Sequence, residues 1–358
     1  DKGLYKDFFT HKGPVLVFFI DVFQNILGTT WKSSITVLSC LTLFFLTIAS
    51  YTSYKYTRNY LTTLIIILYI IFFFRYQTSD IFVDLINVPL ILLANLFFLK
   101  AITDNKKEYI FLYSFFISLS FLSRVDTLIY IFVSLVFLLF FVIKEKKFNY
   151  IKIIFVLKNI SIFILIFILL SFIYKFNFIE FMNQNIFFNM MYSSDDYKKF
   201  TNLGSLFALI PYKHYSFILI IKLIYFIKSK EQIGRNNSII FSLFSLIQLL
   251  IFFQKFGNLY LFLSIFIFEI LFMTYLIAIN KSKNYELLFI LLINFSSFFI
   301  YLYSGSYKLN HSFILIPGTV IFTSYFLKHI FKKQINYKNL SYLFLVFLFF
   351  YQSEKIYR

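Results

Sequence analysis

The chain has 358 residues, 60% of them hydrophobic, 24% aromatic and only 14% charged, against about 25% charged in soluble domains. Its formal net charge is +18, yet the Lys and Arg residues sit in short stretches between apolar runs rather than along one face, which argues against a nucleic-acid-binding surface. A single cysteine, Cys40, excludes an intramolecular disulfide and a Cys-based metal site. Apolar runs of about 20 residues recur throughout, so the length reads as one polytopic helical bundle rather than two soluble domains. The 56 Phe read as a compositional bias, together with abundant Ile, Lys, Asn and Tyr. No signal peptide is visible. Because the chain opens at Asp1 without Met, it is expected to be a fragment or a processed product.

In chain order, residues 1–14 are polar and hold the string Tyr5-Lys6-Asp7-Phe8-Phe9-Thr10-His11-Lys12-Gly13-Pro14. Pro14 stands where a helix would begin, a position at which its missing N–H costs nothing. Residues 15–28 are apolar but interrupted by Asp21, Gln24 and Asn25, and are short for a crossing. They are expected to form a juxtamembrane helix, with Asp21, Gln24, Asn25 and Gly28 on one side. Residues 1–32 thus form an external loop and interfacial helix, 33–352 the transmembrane bundle, and 353–358 a tail.

The expected fold is all-α, with about twelve transmembrane helices at 33–53, 60–74, 81–99, 108–122, 125–143, 153–174, 214–227, 236–253, 258–279, 285–303, 309–327 and 340–352. Loop charges offer an independent check. Every second loop is basic: Lys55 and Arg58; Lys100, Lys106 and Lys107; Lys144, Lys146, Lys147 and Lys152; Lys228, Lys230 and Arg235; Lys281 and Lys283; Lys328, Lys332, Lys333 and Lys338. The intervening short loops hold one cation each, Arg75, Arg124, Lys255 and Lys308. The positive-inside rule puts the basic loops in the cytoplasm. The opening segment, Arg75 with Asp80, Arg124 with Asp126, the long loop 175–213 and Lys308 with His311 then all fall on the external face. For that long loop, a partly helical cover over an external cavity and a plain solvated loop both stand open.

Four groups of residues carry possible chemistry. Lys12, at a helix mouth beside a bilayer surface, is placed either to hold a phosphate or to anchor the helix to lipid headgroups. Asp7 lies near it, as a proton-accepting carboxylate or as an ion-pair partner of Lys6 or Lys12. In Leu122-Ser123-Arg124-Val125-Asp126, charges between two spans are costly unless paired or functional, so a mutual salt bridge and an Arg124–phosphate contact both fit. Lys308 and His311, in Gly305-Ser306-Tyr307-Lys308-Leu309-Asn310-His311-Ser312, fall one helical turn apart before Pro317. Glu269 and Lys222 lie inside spans and are expected to pair with some group. There is no Gly-rich phosphate loop, no metal-spaced His/Cys cluster and no internal repeat.

The opening string, continuing to Gly28, resembles the first-loop segment of the polyprenyl-phosphate-sugar-dependent glycosyltransferases of the GT-C superfamily, which includes the protein O-mannosyltransferases and the aminoarabinose transferases. Relatives carry Tyr-x-Asp-x-x-x-(His/Glu)-Lys-(Gly)-Pro before a helix that ends in Phe/Leu-Gly. The Ser123-Arg124-Val125-Asp126 string resembles that family's Ser/Thr-Arg-x-Asp/Glu, and the segment from Tyr307 to Pro317 resembles its late Tyr-x-x-His-Tyr…Pro element, with Ser312 in place of the second Tyr. The first match covers about 28 residues.

The resemblance implies an integral membrane enzyme, expected in a bacterial plasma membrane with its motifs outside. It would move a sugar from a polyprenyl-phosphate donor to a lipid, glycan or protein acceptor by inverting displacement. Lys12 would contact the donor phosphate, joined by Arg124, Lys308 and His311, with Tyr5, His11 and Asp126 in support. Some relatives carry a metal-binding Glu at the position of His11. A divalent metal is therefore conceivable, but no clear ligand set is visible and a hydrogen-bonding role is expected for His11. The family's main acidic residue usually lies upstream of this string, so it is expected outside this chain, with Asp7 the remaining candidate base. The alternatives are a flippase or transporter of lipid-linked sugars and a catalytically incomplete scaffold.

Overall fold

The computed structural model of the chain describes residues 13–74, 81–104, 106–145, 150–187, 212–228, 233–253, 259–279, 284–303 and 315–330. Among these residues the elements are all helical: α1 Pro14–Leu27, α2 Trp31–Thr57, α3 Tyr60–Phe74, α4 Ile81–Asp104, α5 Lys107–Ser123, a 3₁₀ turn Val125–Thr127, α6 Leu128–Glu145, α7 Tyr150–Tyr174, α8 Phe178–Phe181 running into a π-helical turn Met182–Phe187, α9 Tyr212–Lys228, α10 Arg235–Phe253, α11 Leu259–Ala278, α12 Tyr285–Tyr303 and α13 Ile316–Ile330. Four of them, α2, α4, α7 and α11, contain stretches long and apolar enough to cross a bilayer. The chain is a helical membrane protein.

Local sequence sets the helix ends. Pro14 occupies the first turn of α1, and Gly28, with φ +78°, closes that helix by donating its N–H to the Gln24 carbonyl at 2.8 Å. Thr30 accepts from the Ser33 N–H ahead of α2, and Asn59 accepts from Leu61 and Thr62 at the start of α3. Asn177 and Glu180 form a reciprocal capping box on α8. The segments 60–74 and 285–303 coincide with α3 and α12. The segment 81–99 extends to Asp104, because Lys100 does not interrupt α4; its ammonium lies 5.3 Å from the Tyr109 ring centre. The segment 340–352 and the first part of 309–327 lie outside the described residues. So does most of the loop 175–213, which is helical from Phe178 to Phe187.

The chain packs as two compact units. The first takes Asp1–Thr52, Gln77–Thr201 and Leu292–Gly318. Here α4 is the mostly buried helix, with Leu85, Ile86, Leu92 and Phe98 in the core, and α5 lies against it with the Tyr113 and Phe98 rings 5.1 Å apart. The other side of α5 meets α7 and the start of α1, where Val15, Phe121, Leu122, Leu170, Phe176 and Phe181 form one apolar cluster. Only Pro14, Val15 and Leu16 of α1 are buried, and its second half is largely exposed, including Asp21, Gln24 and Asn25. Leu165 and Phe172 on α7 are exposed apolar residues suited to lipid contact.

The second unit takes Ser53–Tyr76, Asn202–Leu291 and Thr319–Arg358. Helices α9, α10 and α11 pack side by side: Phe226 stacks on Phe241 at 4.8 Å, and Phe241 meets Phe272 at 5.3 Å. Ser238 Oγ donates to the Phe226 carbonyl and draws α10 close to α9. Leu261, Phe268 and Leu271 of α11 are exposed apolar side chains.

Candidate functional site

The strongest polar feature of the first unit lies where α5 breaks. Arg124 is extended, with φ −153° and ψ 115°; its N–H still donates to the Ser120 carbonyl at 2.9 Å, and the chain then re-enters helix through the 3₁₀ turn. Thr127 stabilises that turn by donating its hydroxyl to the Arg124 carbonyl at 2.8 Å. The break turns the Arg124 side chain back onto two carboxylates. Nε donates to Asp126 Oδ2 and Nη1 donates to Asp84 Oδ1, each at 2.7 Å. Asp84, from the first turn of α4, is only 1% exposed, whereas Arg124 and Asp126 are 17% and 16% exposed. Among the described residues Nη2 makes no hydrogen bond, and it is the free edge of the guanidinium.

Further bonds tie this corner to its scaffold. Ser120 Oγ donates to Asn87 Oδ1 at 2.6 Å, locking α5 to α4 one turn beyond Asp84. Tyr130 and Ser297 share a hydroxyl–hydroxyl bond of 2.5 Å, and Ser297 Oγ also accepts the Gly318 N–H at 2.9 Å. Asp84, Arg124, Asp126 and Tyr130, together with the apolar Val88, Ile91 and Ile300, border a small recess with room for about one water molecule. Asp126 Oδ1 is buried without a hydrogen-bond partner among the described residues.

Gly13, just ahead of α1, meets this corner. Gly13 donates its N–H to the Ser123 carbonyl at 3.3 Å. A Cβ at position 13 would fall 1.9 Å from the Leu122 carbonyl oxygen and 2.7 Å from that of Ser123. Only glycine allows so close an approach to the carbonyl end of α5. The Gly13-Pro14 end of the first string and the Ser123-Arg124-Val125-Asp126 string, about 110 positions apart in sequence, are therefore neighbours in the fold. Tyr5, Asp7, His11, Lys12, Lys308 and His311 lie outside the described residues.

The salt-bridge expectation for Arg124 and Asp126 holds, with Asp84 as a second partner that sequence reading passed over. The signals for it were an acidic residue opening an apolar span and Asn87 three positions later on the same face. Among the described residues, no group of three His, Cys, Asp or Glu side chains is placed to hold a metal ion.

The second unit holds a different cluster. Lys222 of α9 donates to Gln248 Oε1 of α10 at 2.8 Å and ion-pairs with Glu269 of α11. Its ammonium also lies 5.2 Å from the centre of the Phe266 ring. The Lys222 and Glu269 side chains are 1% and 0% exposed. Each residue is interior to its helix; Lys222 sits roughly 15 Å along α9 from its start. The expectation that Lys222 and Glu269 have partners holds, and each is a partner of the other.

The chain matches no protein-family model, no curated protein and no solved structure.

Proposed function

We propose that the protein is a membrane glycosyltransferase that takes a sugar from a polyprenyl-phosphate donor on the outer face of a bacterial plasma membrane. In this reading the chain crosses the membrane about twelve times with its basic loops inside, as the loop-charge alternation favours. The observation that carries the proposal is the Gly13–Ser123 contact. The described end of the first string, Gly13-Pro14, adjoins the Ser123-Arg124-Val125-Asp126 string, and each string separately resembles a piece of the GT-C glycosyltransferases.

Charge balance sharpens the roles. Arg124 with Asp84 and Asp126 carries a formal excess of one negative charge. That corner alone repels a phosphate, so an anionic donor needs a second cation. Lys12, bonded to Gly13, supplies it in this reading, with Lys308 and His311 as further donor-phosphate contacts. Tyr5 and His11 support the loop, and Asp126 orients Arg124. The reaction is a displacement at the anomeric carbon. An acceptor hydroxyl forms the new C–O bond, the bond to the lipid phosphate breaks, and the hydroxyl proton passes to a carboxylate, for which Asp7 is the candidate in this sequence.

A transporter reading draws on Lys222 and Glu269, because ionisable groups inside membrane helices often mark transport paths. These two ion-pair with one another and are buried among three packed helices, which favours a structural role. The test is release of polyprenyl phosphate from a panel of lipid-linked sugars by the full-length gene product in membranes. Wild type is expected to turn over at least one donor, and Lys12→Ala to lose most of that activity at equal expression. Turnover unaffected by Lys12→Ala would remove the Lys12 assignment; no turnover with any donor would shift the balance to transport or scaffolding.

A further inference from the structure

We propose that Asp84 is a positioning residue that fixes the Arg124 guanidinium so that its Nη2 edge faces an incoming phosphate. This rests on the reading of Arg124 as a donor-phosphate contact, and assigns a role to a carboxylate that neither the motif strings nor the family resemblance single out.

Asp126 lies two residues from Arg124 on the same short turn, so its bond to Nε moves with that turn. Asp84 comes from a different helix and is almost completely buried. Its helix is tied to α5 by the Ser120–Asn87 bond. Carboxylates on Nε and on Nη1 hold two corners of a planar group and remove its freedom to rotate. The third corner, Nη2, has no hydrogen bond among the described residues and belongs to a side chain that remains partly exposed. An orienting shell of this kind keeps a binding group within a fraction of an ångström of its productive position.

A buried ion pair is often no more stabilising than well-packed apolar residues of similar volume, such as Leu85, Ile86 and Val88 beside it on α4. The charge of Asp84 opposes an incoming anion, so its contribution to donor binding is geometric. Charge and geometry then make opposite demands on Asp84, and two substitutions separate them. Asp84→Asn keeps an acceptor oxygen at the same distance and removes the charge. Asp84→Glu keeps the charge and pushes the carboxylate outward by one methylene.

The probe is farnesyl phosphate, with farnesol as the phosphate-free control, binding to the purified full-length protein in detergent. Asp84→Asn is expected to bind farnesyl phosphate as tightly as wild type or more tightly. Asp84→Glu is expected to bind it about fivefold to tenfold more weakly, with farnesol affinity unchanged, because one charge-assisted hydrogen bond is misdirected. Equal affinity of wild type and Asp84→Glu would overturn the positioning role, as would a parallel loss for farnesol and farnesyl phosphate in either variant. If Asp84→Glu does not fold, a fivefold loss in a folded Asp84→Asn would also overturn it. Failure of wild type to prefer farnesyl phosphate over farnesol would remove the donor-site reading itself, a result distinct from failure of Asp84 alone.

Discussion

Arg124 and Lys222 are both cations paired with a buried carboxylate inside apolar helical units, but their surroundings differ. Lys222, Gln248 and Glu269 come from three helix interiors that pack side by side, and the pair is sealed from solvent. Arg124 stands at a helix break, keeps one nitrogen uncommitted, and borders a small recess near Gly13. Both clusters hold a buried polar atom without a hydrogen-bond partner among the described residues, Glu269 Oε1 and Gln248 Nε2 in one and Asp126 Oδ1 in the other, so what separates them is exposure: Lys222 and Glu269 are 1% and 0% exposed, Arg124 and Asp126 17% and 16%. The first arrangement suits a packing lock and the second a binding site. In apolar surroundings the lock is costly to break from one side only, because the orphaned charge cannot reach water.

The largest effect is expected from halving the lock. Lys222→Met alone or Glu269→Leu alone should destabilise the protein by about 3–5 kcal/mol, while the double replacement should recover most of that loss. Thermal or denaturant unfolding in detergent measures this, and a double variant as unstable as either single one would mean that the pair does more than hold helices together. At the open site, Gly13→Ala should cost about 1–3 kcal/mol, because the new methyl group overlaps the Leu122 carbonyl and must push the segment away from α5. It should also lower transfer activity; full activity in Gly13→Ala would separate the two strings functionally. Asn177→Ala, which removes the capping box on α8, should cost about 1 kcal/mol and leave transfer unchanged. The smallest effect belongs to Tyr174→Phe, which deletes the exposed bond from the Tyr174 hydroxyl to Asp21 at 3.3 Å. It should fall within about 0.5 kcal/mol, and a larger loss would show that α1 depends on that link to α7.

The same contrast explains what could be read from sequence. Helix positions were legible because apolar runs and capping residues are local signals; Asn177 with Glu180 is one example. The bond between Arg124 and Asp126 was legible from their spacing. Asp84 was not, since forty positions separate it from Arg124 and an acid at the start of a span reads equally well as an interfacial residue. The need for Gly13 was also hidden, because the close approach to α5 exists only in the folded chain. Lys222 and Glu269 stood out as charges within apolar runs, but Gln248, an ordinary polar residue on a helix, gave no sign of joining them. Long-range pairing of this kind is set by packing between helices, which no local pattern encodes.

The most direct measurement is the ratio of farnesyl phosphate to farnesol affinity in wild type, Lys12→Ala and Arg124→Gln. If Lys12 and Arg124 form one phosphate site, wild type prefers the phosphate by at least about tenfold, and each variant loses most of that preference while farnesol binding stays constant. A preference that survives unchanged in Arg124→Gln would contradict the account, leaving the corner at the α5–α6 break as a structural salt bridge and nothing more.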